Sequence, residues 1–194
     1  MERLKKMTLV LSVLVAFSGC SILKEAYNVT QCKYEYNSVS NLRLSGIDLS
    51  NGVNLLTGVP ALLAILTGNA ASIPLDFTVN LDVTNPNQSA ALFSALQYVL
   101  KIDDVQFAAG SMPQTLNVAA GGKQVLPMRF SIDLASLMKS NSKTAVQNIA
   151  KNFIGIGSEK SKVSLDIKPS FTSAGRSIPS PAYIPISFSF GGGK

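Results

Sequence analysis

The chain has 194 residues, of which 46% are hydrophobic, and its formal net charge is +6. This length fits one domain plus a targeting segment and suffices to bury a core. Lys and Arg are scattered and Trp is absent, which argues against nucleic acid as a partner. The chain also has no His, the commonest general base and metal ligand, so we predict neither a metal site nor a cofactor.

The N-terminal residues predict a signal peptide. Arg3, Lys5 and Lys6 precede Met7–Phe17, an apolar run of eleven residues. A helix that spans a membrane needs about 20 apolar residues, so this run is too short to span and is typical of a signal-peptide h-region.

The next residues, Phe17-Ser18-Gly19-Cys20, resemble the bacterial lipobox, although Phe17 stands where Leu is usual. The resemblance implies that Cys20 is diacylated through its sulfur, becomes the first residue and is then N-acylated. Several acyl chains anchor a protein firmly, whereas one chain holds it only marginally. Ser21 follows instead of Asp, which by the sorting habit of Gram-negative lipoproteins implies the outer membrane, on its periplasmic side. The alternative is an ordinary secretory signal with an incidental Cys.

We therefore expect four regions: a signal peptide over 1–19, a lipidated tether over 20–30, a β-sandwich domain over 31–190 and a disordered tail over 191–194. If Cys20 carries lipid, Cys32 has no disulfide partner. It is then most simply a half-buried, small hydrophobic residue at the start of a strand.

The clearest strand of the chain is an alternating segment in its middle. Five apolar residues alternate without a break with polar ones, which indicates a strand with one buried face: Leu75, Phe77, Val79, Leu81 and Val83. The alternation stops at Asn85-Pro86-Asn87, which predicts a turn. Upstream, the alternation changes phase at Ser45-Gly46, which predicts a β-bulge.

Residues 51–73 break the strand pattern. Apolar residues recur there at helical spacing without any charge, and the set is Leu55, Leu56, Val59, Leu62, Leu63 and Leu66. One interpretation is a helix that covers an open edge or end of the sandwich. The other is an apolar element that dips into the membrane or forms the lid of a lipid pocket.

The second half of the chain predicts more strands and one helix. Asp103-Asp104 forms the turn of one hairpin, and Ala119–Lys123 forms the Gly-rich turn of a second hairpin that contains Pro127 in an edge or bulged strand. Asn141–Ile154 has helical periodicity. Further strands follow, the first of which stops at Pro169, and the last ends at Phe190.

These segments together resemble the late embryogenesis abundant group 2 family, whose module is also called the water-stress and hypersensitive-response domain. The matching pieces are Val83–Asn87, Tyr98–Leu100 with Phe107–Gly110, Val118–Gly122 with Leu126-Pro127, and Val163–Pro169 with Pro181–Ile184. The resemblance implies a non-enzymatic, antiparallel β-sandwich of immunoglobulin or fibronectin-III shape, linked to stress or desiccation tolerance. The resemblance also implies a lipoprotein, as are the bacterial members that resemble this chain.

Three functions remain open at this point. The first is a membrane-anchored, non-catalytic envelope protein with a protective or adaptor role, and its protein partner stays unidentified. The second is a carrier of an apolar ligand such as a lipid. The third is an enzyme that uses carboxylates, for which the aspartates are Asp48, Asp76, Asp82, Asp103, Asp104, Asp133 and Asp166.

Overall fold

The structure is a computed structural model that describes residues 28–50, 63–65, 67–173 and 176–192. It is mainly β, with two antiparallel sheets and a few helices. The strands are β1 (Lys33–Leu44), β2 (Ile47–Asp48), β3 (Pro74–Thr84), β4 (Ala91–Ile102), β5 (Val105–Val118), β6 (Lys123–Asp133), β7 (Ser161–Ser173), β8 (Arg176–Pro179) and β9 (Ile184–Phe190). The two longer helices are α1 (Leu134–Ser140) and α2 (Lys143–Phe153).

The first sheet has the order β2-β1-β3-β6, and the second has β5-β4-β7, with β8 and β9 both pairing with β7. β3 is central in the first sheet and pairs with β6 over its whole length, from Pro74 opposite Asp133 to Thr84 opposite Lys123. The alternating side chains of β3 lie in the core, as predicted, because all five of its apolar residues are buried.

Aromatic rings connect the two sheets across the core. Tyr36 of β1 stacks on Phe188 of β9, with ring centroids 3.9 Å apart, and Tyr98 of β4 meets Phe130 of β6 edge to face at 5.3 Å. Aromatic pairs at such distances contribute beyond the apolar area that they bury. The sheets therefore share one hydrophobic core.

The two helices belong to this core. The apolar face predicted for the second helix is buried, and Phe153 packs its ring 4.9 Å from Phe77 and 4.7 Å from Phe190. α2 ends one residue before the predicted limit at Ile154. We call this end of the molecule the helix end; it comprises residues 133–162, which include α1 and α2, and the Asp103-Asp104 turn between β4 and β5.

The predicted hairpin over residues 119–123 is wrong. β5 pairs with β4 in one sheet and β6 pairs with β3 in the other, so the Gly-rich turn connects the two sheets. Pro127, opposite Asn80, does lie in an edge strand, as predicted, because β6 has a partner on one side only.

The predicted bulge at Ser45-Gly46 is also wrong. These two residues form a tight turn between β1 and β2, with φ of 50° and 82° and Leu44 paired with Ile47. Two positive φ values in a two-residue loop are typical of a type I′ hairpin turn. The irregularities of β1 lie elsewhere, between Tyr36 and Ser38 and around Asn41.

β7 does not stop at Pro169 but continues to Ser173. Its pairing with β9 ends at Ile167 and its pairing with β8 begins at Ser170, so Pro169 lies between the two partners on that side. The missing N–H is tolerated there because no strand residue faces it, while the Pro169 carbonyl accepts from the Ser180 N–H at 2.8 Å.

The described residues extend beyond both predicted limits of the folded domain. Residues 28–31 form a helical turn, although the predicted tether includes residues 28–30. At the other terminus, the Gly192 N–H donates to the Asn152 carbonyl at 2.7 Å, within the region predicted as a disordered tail.

Candidate functional site

Asn85, the first residue of the predicted turn, is fully buried and connects the two sheets. Its Nδ2 donates to the carbonyl oxygens of Ser89, Val118 and Ala119 at 2.9, 3.0 and 3.1 Å. Its own N–H donates to the Gly122 carbonyl at 2.9 Å. One side chain thus holds the link from β3 to β4 against the link from β5 to β6.

Asn87 completes the turn and connects it to the entering chain. Asn85 Oδ1 accepts from the Asn87 backbone N–H at 3.0 Å and from Asn87 Nδ2 at 2.7 Å. Asn87 Nδ2 also donates to the Asn28 carbonyl at 3.0 Å. The Asn-Pro-Asn turn is therefore an anchoring point for the first described residues of the chain.

The helical turn of residues 28–31 makes further bonds at the same place. Asn28 Nδ2 donates to Ser89 Oγ at 2.7 Å, and the Tyr34 hydroxyl donates to the Val29 carbonyl at 2.9 Å. Val29 is fully buried. The chain therefore enters the fold at this end, opposite the helix end. We call it the Asn85 end and define it as residues 85–90 and 119–122.

Cys32 lies just inside this end and is more buried than predicted, at 6% exposure. Its Sγ donates to the Asn28 carbonyl at 3.3 Å. Burial raises the pKa of the Cys32 thiol to about 11, because the charged thiolate is disfavoured away from water. The position is that of a structural thiol and not of a nucleophile.

The predicted lipidation residues Phe17, Ser18, Gly19 and Cys20 lie outside the described residues, so this prediction stays a prediction. The same holds for Leu55, Leu56, Val59, Leu62 and Leu66 of the predicted lid. Leu63, the remaining member, lies in a helical stretch and is 53% exposed.

Several aspartates have structural partners. Asp133 Oδ1 accepts from the Ile73 and Ala135 N–H groups at 2.8 and 3.0 Å, and Asp103 Oδ1 accepts from the Lys162 N–H at 2.7 Å. Asp82 forms an ion pair with Lys123 at 2.8 Å, which holds the pKa of Asp82 below its ordinary value. Within the described ranges, no three His, Cys, Asp or Glu side chains lie close enough to hold a metal ion.

The outer face of the first sheet carries a polar depression of about 410 Å³ that the sequence did not reveal. Asp76 lies there between Arg43 on β1 and Ser131 on β6, and Arg129 lies one row along, opposite Thr78. Two arginines and one aspartate line the depression. Asp48, which is not part of the lining, faces Arg43 across the β1–β2 hairpin. Only the strand register places these residues together.

None of the helices among the described residues is long and apolar enough to cross a membrane.

Comparison with known proteins identifies the family. The model of the late embryogenesis abundant family, LEA_2, matches residues 80–180, just over half of the chain, and the match includes the Asn-Pro-Asn turn. A search of curated proteins gave no significant match.

Several solved structures are similar to the chain, and three of them serve for comparison. The first is a crystal structure of an Archaeoglobus fulgidus protein, at 16% identity and a TM-score of 0.42, over 81% of this chain and 97% of that one. The second is a solution structure described as a late embryogenesis abundant protein, at 15% identity and a TM-score of 0.42, over 95% and 83%. The third is an Arabidopsis thaliana protein, at 10% identity and a TM-score of 0.42, over 84% and 79%. On the family-model match, the chain belongs to the late embryogenesis abundant family LEA_2.

Proposed function

We propose that this protein is a lipid-anchored, non-catalytic protein of the cell envelope, whose late embryogenesis abundant domain has a protective or adaptor role under stress such as desiccation. The observation that carries the proposal is Phe17-Ser18-Gly19-Cys20, which directly follows an apolar run of eleven residues. Family membership supports the stress-related role, and Ser21 supports the outer membrane, facing the periplasm.

The absence of catalysis is supported by the state of the carboxylates. Asp133, Asp103 and Asp82 are engaged with N–H groups or with Lys123, and their bonds hold the fold together. The sequence has no His that could act as a general base in their place.

Strand order supports an immunoglobulin or fibronectin-III-like sandwich as the finer architecture. β1-β3-β6 and β5-β4-β7-β9 have the order of the A-B-E and C′-C-F-G sheets of a fibronectin-III domain. In that correspondence α1 and α2 form an enlarged E–F connection, and the entering chain precedes strand A.

Metabolic labelling with a palmitate analogue, followed by membrane fractionation, tests the anchor. We expect the wild type to be labelled and to fractionate with membranes, and the Cys20→Ala variant to lose both properties. Cys32→Ala is the matched control, because it removes the other thiol and should leave labelling unchanged. Label that persists in Cys20→Ala would show that the anchor is misassigned.

A carrier of an apolar ligand, with residues 55–66 as the lid, is the second candidate. One observation favours it: Leu63, within this range, is an exposed apolar residue. The side chains between the two sheets are closely packed, however, and the described depressions open at the surface. Lipid that co-purifies with the protein and is identified by mass spectrometry would support the carrier.

A further inference from the structure

We propose that the Asn85 end is the membrane-facing surface of this protein and contacts anionic phospholipid headgroups. The inference rests on the proposed lipid anchor at Cys20, and it adds an orientation: the Asn85 end faces the bilayer and the helix end faces away.

The length of chain between the anchor and the fold limits the geometry. Seven residues separate Cys20 from Asn28. An extended chain spans at most about 3.5 Å per residue, so this connection reaches about 28 Å. β3 alone, with 11 residues, measures about 35 Å along its axis. If the molecule stood upright with its helix end on the bilayer, the entry point would lie about 35 Å away, which is farther than the connection reaches. An upright molecule therefore has its Asn85 end nearer to the bilayer.

The entry point is fixed in place by bonds to the body. Asn28 donates to Ser89 Oγ, its carbonyl accepts from Asn87 Nδ2, and Val29 is fully buried. The connection to the anchor is thus attached directly to the Asn-Pro-Asn turn of the folded body. It therefore begins at the Asn85 end of the body.

The charge distribution agrees with this orientation. The loops 85–90 and 119–122 contain no charged residue. Lys33 and Lys123 are exposed in the row next to these loops, and Glu35 and Asp82 lie two rows further along the sheet. Arg176 is exposed at the start of β8. Lys123 keeps 55% of its side chain exposed despite its ion pair with Asp82. Each Lys or Arg near an anionic membrane surface contributes about 1 kcal/mol of attraction.

The helix end has a different character. It interleaves lysines with carboxylates, and these acidic residues are Asp103, Asp104, Asp133 and Glu159. An anionic surface would repel these carboxylates, whereas the outermost residues at the Asn85 end are uncharged, as Ala119 and Ala120 are. Lys33 and Lys123 lie in the next row of the sheet.

Fluorescence energy transfer to labelled headgroups tests the orientation. In a Cys32→Ala background, a donor is attached at Ala120→Cys on the Asn85 end or at Ser158→Cys near the helix end. The mature lipidated protein is placed in phosphatidylethanolamine–phosphatidylglycerol vesicles that contain an acceptor lipid. We expect transfer from position 120 to be several-fold higher than from position 158. Equal or reversed transfer would overturn the proposed orientation.

Flotation of the same samples separates the two proposals. Wild-type protein that fails to float with vesicles would contradict the lipid anchor itself. Protein that floats but shows equal or reversed transfer would contradict only the orientation.

A charge-neutral variant tests the headgroup contact. Combined Lys33→Gln, Lys123→Gln and Arg176→Gln should lower transfer from position 120 on anionic vesicles and leave it unchanged on phosphatidylcholine vesicles. The matched control neutralises three exposed lysines at the helix end, Lys139, Lys160 and Lys162, and should have no effect. If the first variant behaves like the control, headgroup contact at the Asn85 end is wrong.

Discussion

Asn85 is fully buried, and its Nδ2 donates to three carbonyl oxygens, two of which belong to the end of β5 and its link to β6. Truncation in Asn85→Ala leaves the carbonyls of Ser89, Val118 and Ala119 without their donor. At about 1 kcal/mol for each hydrogen bond, we expect the free energy of unfolding to fall by about 2–4 kcal/mol. Urea denaturation followed by circular dichroism measures this loss.

Asn87→Ala is the matched control in the same turn. It removes bonds to the Asn28 carbonyl and to Asn85, at a half-buried position, and should cost about 1 kcal/mol. If the two variants were equally stable, Asn85 would not be the connection between the two sheets that we describe.

Cys32 gives a second prediction at the residue scale. With a pKa of about 11, the thiol is almost entirely protonated at pH 8, and it is buried as well. We expect its reaction with a disulfide reagent to be at least about a hundredfold slower in native protein than in urea, because only the thiolate reacts. Reaction at the same rate in both conditions would place Cys32 at the surface.

At the scale of elements, single substitutions in the Ser45-Gly46 turn should raise or lower the free energy of unfolding. Type I′ turns prefer Asn followed by Gly, since both central residues have positive φ. Ser45→Asn should therefore raise the free energy of unfolding by about 0.5 kcal/mol, and Gly46→Ala should lower it by about 1 kcal/mol. A Cβ at Gly46 meets nothing within 4 Å, so the second effect comes from φ and not from a clash. Thermal melts of both variants check the signs, and a stabilising Gly46→Ala would contradict the turn type.

Asp133 controls the junction between β6 and α1. Its bond from the Ile73 N–H, followed by bonds from Ser136 and Ala135, holds the pKa of Asp133 below its ordinary value. Because this pKa is lower in the folded than in the unfolded state, Asp133 stabilises the fold above about pH 4, its ordinary value, and this stabilisation is lost as pH falls further.

Asp133→Ala should cost about 1 kcal/mol at pH 7 through loss of the N-cap, and the cost should shrink as the pH falls below 4. Unfolding of the variant across this pH range measures the effect. Glu159→Gln, an exposed residue, is the control and should leave stability unchanged at each pH. A pH-independent loss in Asp133→Ala would show that the charge of the carboxylate has no part in the junction.

The elements also show how much of the fold can be predicted from the sequence. The period of two from Leu75 to Val83 and the helical period before Ile154 predicted β3 and α2, because local periodicity reports which face is buried. Pairing is not local: the Gly-rich turn after Val118 predicts a hairpin, but β6 pairs with β3, and the paired residues run from Thr84 with Lys123 to Pro74 with Asp133. The sequence predicts a strand end at Pro169, but β7 continues to Ser173. Whether a neighbouring strand faces the proline nitrogen depends on the tertiary arrangement, which the local sequence does not report.

For the candidate sites too, the sequence predicted the local features but not the contacts between distant residues. Asn85, Pro86 and Asn87 were predicted as a turn, but their connection of two sheets and of the entering residue Asn28 needed the structure. The row of Arg43, Asp76 and Ser131 could not be predicted, because these residues are far apart in the chain and meet only through the register of β1, β3 and β6.

At the scale of the whole molecule, the protein combines a described part with a proposed part. The described part is a two-sheet domain of the LEA_2 family, closed at one end by helices and entered at the other beside Asn85. The proposed part is a lipid anchor at Cys20, which seven residues separate from that entry. Together they lead to our proposal of a non-catalytic, stress-related domain held at a membrane surface.

Intact mass spectrometry of the protein purified from membranes tests this claim most directly. The account predicts a chain that begins at Cys20 and carries a diacylglyceryl group together with an amide-linked acyl chain. A chain that retains residues 1–19, or that begins at an unmodified residue, would contradict it.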